Sequence, residues 1–168
     1  MIRSILSSAA LMTLLALLQS TLIQKLAVLG VIPDLALVAL IYVSIRNGSM
    51  EGQLSGFLSG FSFDFISSAP LGFNILIRTL IGYLYGLIKG KLFIDAVIGP
   101  FLMAFIATLM KAGLAALLGL FFPGSLAPFH VLGRTILIEA LYNAVCAPFL
   151  FLILRLFDRL LISERPGR

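Results

Sequence analysis

The apolar residues of this chain come in long unbroken runs, such as "LMTLLALL" and "FLFLIL", and not in alternation. A membrane strand alternates lipid-facing and inward-facing side chains, so continuous runs argue against a barrel and predict helices. Gly, Pro and charged residues interrupt the runs at "QKLAVLGVIPD", "RNGSMEG", "SSAPLGF", "KGKLFID" and "FFPGSLAPFH". Between these breaks the pattern predicts helices over Ile5–Gln24, Pro33–Asn47, Met50–Ser67, Gly72–Ile88, Ala96–Phe121 and Val131–Leu161. Pro148 is expected to kink the last of them. The second is short: it rises only about 22 Å, against a hydrocarbon core of about 30 Å. Pro33 suits its first turn and Asp34 the positive end of its dipole, so the two are read as its N-terminal cap.

Composition fixes the solvent. The 168 residues are 61% hydrophobic and only 11% charged, with a mean hydropathy of +1.15. Soluble domains carry about 25% charged residues. A chain of this size cannot hide so much apolar surface from water, so the expected fold is all-α: one integral membrane domain over residues 1–168, with six transmembrane helices in a lipid bilayer. The net charge of +5 reads as a topology signal and not as a nucleic-acid footprint. With the N-terminus inside, Arg3, Arg46, Lys89, Lys91, Arg159, Arg165 and Arg168 all lie on the cytoplasmic side and only Lys25 in an outer loop, which predicts both termini cytoplasmic. No small-x-small cleavage site follows the first apolar run, so it is read as an uncleaved first helix. The tail "RLFDRLLISERPGR" is expected to continue helically over the inner leaflet.

Two rows of glycine stand out. Gly48, Gly52, Gly56 and Gly60 recur every fourth residue and lead to Asp64. Beyond the turn at "SSAPLG" come Asn74, Arg78, Gly82, Gly86 and Gly90, with the same spacing. Lipid tails are as apolar as leucine, so close packing, and not oil-like burial, draws helices together, and small residues permit it. A tight antiparallel hairpin reflected about Ala69 would set Gly56 against Gly82, Gly52 against Gly86, Gly48 against Gly90, Gly60 against Arg78 and Asp64 against Asn74. That register brings Arg78 within one helical step of Asp64, and an Asp64–Arg78 ion pair is expected, because an unpaired charge in a spanning helix costs about 2.5–3.5 kcal/mol. A count of residues from the outer loop puts Lys111 and Glu139 at similar depth, with Asn143 one turn beyond Glu139 on the same face. A Lys111–Glu139–Asn143 cluster facing the bundle interior is expected.

Chemistry-bearing patterns are missing. One histidine and one cysteine make no zinc site of the usual kind, and His130 and Cys146 read as an interfacial and a packing residue. The chain has no GxxxxGK[ST], HExxH or GxSxG. No cofactor, metal or catalytic residue is predicted, and the chain is not read as an enzyme.

The stretch from "PDLALVALIYVSIRNGSMEG" to "LIGYLYGLIKGKL" resembles the core of the rod shape-determining MreD family. The resembling elements are Pro33-Asp34, the Gly52/Gly56/Gly60 row, Asp64, the Pro70-Leu71-Gly72 turn and Gly82-Tyr83 with Gly86. They cover about 60 residues; the second half is similar in hydropathy and length alone. The resemblance implies a multi-pass protein of the bacterial cytoplasmic (inner) membrane. It implies a scaffold of the machinery that elongates rod-shaped cells, contributing to the regulation of peptidoglycan synthesis. The direct partner it implies is MreC, met through that protein's single transmembrane helix, with its external domain as a second contact. MreB, RodA and a class B penicillin-binding transpeptidase are implied as indirect partners, and a homo-oligomer is a further assembly open to such a bundle. The family is similar in fold to the six-helix S-components of ECF vitamin transporters, which sets the alternative reading: a small-molecule binding protein. Against it, the chain lacks tryptophan, and its small-residue pairs Ala112/Ala116 and Ala140/Ala144 fall outside the first helix.

Overall fold

The structure, a computed structural model, describes residues 1–21, 27, 29–67, 69–90, 97–121 and 129–163, the side chains of 129–132 excepted. Lys25, Lys91, Arg165, Arg168 and the side chain of His130 lie outside the described residues. The described residues form seven helices and no strand: α1 (Ile2–Thr21), α2 (Leu35–Asn47), α3 (Ser49–Ile66), α4 (Phe73–Gly86), α5 (Ile98–Gly119), α6 (Phe129–Leu156) and α7 (Asp158–Leu161). Three of them contain stretches long and apolar enough to cross a membrane: Ile2–Thr21, Ile98–Gly119 and Gly133–Leu156. Helix α6 runs through Pro148 to Leu156. The continuous helix expected to Leu161 is interrupted at Phe157, from which a single turn, α7, restarts.

Helix α2 forms the axis of the bundle. It packs against α1, α3, α4, α5 and α6, and every residue from Ala36 to Ile45 is buried. A helix that is apolar all round belongs in a protein interior, and this explains its length. Its 13 residues span about 20 Å, and its N-terminus lies inside the bundle instead of at an outer surface. Asp34 caps it, accepting a 2.9 Å hydrogen bond from the Leu37 N–H.

Helices α3 and α4 meet backbone to backbone. A Cβ added to Gly52 would collide with the Gly82 carbonyl, one added to Gly56 with the Arg78 carbonyl, one added to Gly60 with Ile75 and one added to Gly86 with Ser49. The register differs from the expected reflection by four residues, one helical turn: Gly52 meets Gly82, Gly56 meets Arg78 and Gly60 meets Asn74–Ile75. The turn is asymmetric. Ser67 is already extended (φ −93°, ψ 159°), and extended chain covers more than twice the length per residue of a helix. The connector therefore descends beside the last turn of α3 before α4 begins. Gly48 and Gly90 serve as turn residues, with φ of +101° and +71°, and no described residue lies within 4 Å of a Cβ added to Gly90.

Candidate functional site: a buried charge cluster at the head of α2

The ladder of small residues makes α3 a two-sided helix. Its glycines face α4, while Ser55 and Ser59, four apart and fully buried, occupy another face. Helix α4 thus comes close enough to α2 for Arg78 to reach Asp34. Arg78 Nη2 donates to both Asp34 oxygens at 3.0 Å, and its guanidinium carbon lies 3.6 Å from the centre of the Phe63 ring, a cation–π contact.

This overturns the expected Asp64–Arg78 pair. With α4 one turn lower against α3, Arg78 lies level with Gly56, eight residues or about 12 Å below Asp64. Asp64 instead accepts from the backbone N–H groups of Gly72 at 2.7 Å and Asn74 at 2.8 Å. Helical Cα–Cβ bonds tilt toward the helix N-terminus, so the Asp64 carboxylate hangs onto the start of α4 and satisfies two donors that open a helix without partners. Asn74 also donates from Nδ2 to Ser67 Oγ at 3.1 Å. Asp64 and Asn74 together close the turn between α3 and α4.

Lys111 of α5 reaches the same carboxylate. Its Nζ lies 3.0 Å from Asp34 Oδ2 and 2.5 Å from Glu139 Oε1. Asn143, one turn past Glu139 on α6, accepts at 2.7 Å from the Asp34 N–H and donates to Thr108 Oγ1 at 2.9 Å. Lys111, Glu139 and Asn143 are thus brought together around Asp34. Two cations and two carboxylates balance in formal charge, which is what a low-dielectric interior demands. The cluster has a sealed and an open end: side-chain exposure is 3% for Arg78 and 10% for Asp34, but 27% for Lys111 and 19% for Glu139. It ties α2, α4, α5 and α6 at one level, with both carboxylates already held by cations. Such an arrangement fixes helices and has no free base or nucleophile to offer a substrate.

Sequence reasoning assigned Asp34 to capping alone and did not find it as the hub. The signal was available: Arg78 and Lys111 both stood in apolar segments, and Asp34 was a carboxylate at the head of another. A second network was also missed, at the opposite end of α2. Arg46 Nη2 donates to Asp158 Oδ2 at 2.8 Å, and the Tyr42 hydroxyl donates to the same carboxylate. Asn47 donates to the Leu161 carbonyl at 2.7 Å and accepts from the Ser163 N–H at 3.2 Å. Lys89 Nζ donates to the Asn47 carbonyl at 3.1 Å. These bonds fold α7 back onto the bundle, which is why the helix breaks at Phe157. The glycine row of α3 is filled by α4 along Gly52, Gly56 and Gly60.

The chain matches the family model described as rod shape-determining protein MreD over residues 2–157. No curated protein and no solved structure matches it.

Proposed function

The chain belongs to the MreD family of rod shape-determining proteins, and from that premise we propose that it is a non-enzymatic scaffold of the bacterial cell-elongation complex. It is a membrane protein with a role in rod-shape determination. In the proposed reading it crosses the inner membrane six times as an S-component-like bundle, α1 to α6 each passing once, with both termini in the cytoplasm. It binds MreC through that protein's transmembrane helix and by this route contributes to the regulation of peptidoglycan synthesis, with MreB, RodA and a class B transpeptidase as indirect partners.

The observation that carries this reading is where the polar and apolar groups lie. The charges of the Asp34 cluster neutralise one another, while the outside of α3, α5 and α6 is lined by Phe57, Phe61, Ile106, Leu109, Leu141 and Phe149. A molecule built this way meets partners through helix faces in lipid. The face we assign to MreC is a groove of about 420 Å³ between Gln53 and Phe57 of α3 and Leu76, Thr79 and Tyr83 of α4. It is almost wholly apolar in its depth, and Gln53 and Tyr83 bring hydrogen-bonding groups to it. Such a concavity takes the side-chain ridge of one helix, and a polar residue of that helix can bond where a lipid tail cannot.

Co-purification tests the reading. Tagged protein expressed with MreC is expected to retain it, and to lose it when MreC's transmembrane helix is replaced by an unrelated one. Full recovery after the replacement would reject a partnership made in the bilayer.

A further inference from the structure

Away from the Asp34 cluster, at the opposite end of the bundle, a carboxylate is buried without a cation. Glu51, in the first turn of α3, is 5% exposed, and no lysine or arginine among the described residues pairs with it. Its Oε2 accepts from Ser4 Oγ at 2.8 Å. One turn further along each helix stand Ser8 and Ser55. Both are 0% exposed, and neither hydroxyl has a hydrogen-bond partner.

Two side-chain bonds fix the register between α1 and α3. Ser4 meets Glu51, and Thr13 meets Ser62 at 3.0 Å. The helices therefore run parallel, and Ser8 lies level with Ser55. A third buried hydroxyl stands beside them. Gln19 bonds the Pro33 carbonyl, so α2 runs antiparallel to α1. Ser44 lies as far beyond Pro33 as Ser8 lies before Gln19. Ser44 Oγ is 2.7 Å from where a Cβ on Gly52 would sit, next to Glu51 in the chain, and it donates to the Leu40 carbonyl at 2.6 Å, which leaves its lone pairs available. Where α1, α2 and α3 meet, then, one carboxylate and the hydroxyls of Ser4, Ser8, Ser44 and Ser55 gather in two adjacent turns.

The geometry points to a binding site for a single alkali-metal cation held by Glu51, Ser8 and Ser55, with Ser4 and Ser44 as further oxygen donors. Hard cations take oxygen ligands, carboxylate and neutral together. One carboxylate sets the charge: a monovalent ion neutralises it, whereas a divalent ion leaves a net positive charge in a low-dielectric interface. An ion there satisfies the two orphan hydroxyls and the unpaired carboxylate at once, and it ties α1 to α3 where serines instead of glycines line the contact.

Thermal unfolding of the purified protein in detergent tests this, in NaCl, KCl and choline chloride at equal ionic strength. The expected result is a saturable rise in Tm of a few degrees with Na+ or K+ over choline, lost in Glu51→Gln and in the double variant Ser8→Ala/Ser55→Ala. The serine variant removes two hydroxyls without altering charge, and decides the matter if Glu51→Gln does not fold. Identical melting in all three salts would overturn the site, and so would a rise that the serine variant keeps. Neither outcome bears on binding to MreC.

Discussion

Asp34 and Arg78 stand 44 residues apart and share two 3.0 Å hydrogen bonds inside the bundle, and this pairing ties the central helix to the glycine hairpin. Asp34 begins the central helix, Arg78 sits in the glycine hairpin, and Lys111 on the same carboxylate brings in α5. Removing one partner of a buried pair leaves the other charge uncompensated, at a cost of about 3–5 kcal/mol. Arg78→Gln and Asp34→Asn are each expected to lower Tm sharply. The double variant Asp34→Asn/Arg78→Gln is expected to lose less than the two losses combined. In the parallel cycle with Asp64→Asn the losses add, because Asp64 and Arg78 share no contact. Coupling between Asp64 and Arg78, with none at Asp34, would reverse the assignment.

Asp64 works as a helix cap and not as half of an ion pair. Replacing a cap by alanine costs about 0.5–2 kcal/mol. Asp64→Ala is therefore expected to be clearly milder than Arg78→Ala in thermal unfolding, and to increase hydrogen exchange at the Gly72 and Asn74 amides it now satisfies. A loss as large as that of Arg78→Ala would mean that the carboxylate compensates a charge.

The glycines divide into those in contact and those in the open. Gly56 abuts the Arg78 backbone, whereas a Cβ on Gly113 meets no described residue within 4 Å. Alanine is favoured over glycine in a helix by about 1 kcal/mol. Gly113→Ala is expected to leave Tm unchanged or raise it. Gly56→Ala is expected to lower it, because helix backbone, not a flexible side-chain tip, must move aside. Equal tolerance at the two positions would show that α3 and α4 do not touch there.

At the other end of α2, Asp158 holds α7 through Arg46 and Tyr42. This pair is partly exposed, and exposed pairs contribute about 0–1 kcal/mol. Asp158→Ala is expected to shift global Tm little while speeding proteolytic trimming of the C-terminal segment. Unchanged trimming would mean that Asn47, through Leu161 and Ser163, holds the segment alone.

Much of the helical order was legible because lipid leaves few choices: unbroken apolar runs can only be helices, and Gly and Pro mark where they stop. The intimate contact of α3 with α4 was legible from four-residue glycine spacing. Its register was not, because that depends on how many connector residues run extended, and "SSAPLG" does not declare this. The slip of one turn then misassigned Arg78. Lys111 and Glu139 came to one depth because both were counted from the same loop. Asp34 was read as a cap alone because chain position shows which helix a residue begins and not which cations of other helices reach it. The break at Phe157 was hidden because its cause, Arg46, lies 112 residues from Asp158.

The most direct test of a scaffold that meets its partner in the bilayer is site-specific photocrosslinking in cells that also express MreC. A photoreactive residue at Leu76, in the α3–α4 groove, is compared with one at Leu109, on the outer face of α5. A crosslink to MreC's transmembrane helix from Leu76 and none from Leu109 is the predicted result. A crosslink from Leu109 alone, or from neither position while MreC still co-purifies, would contradict it.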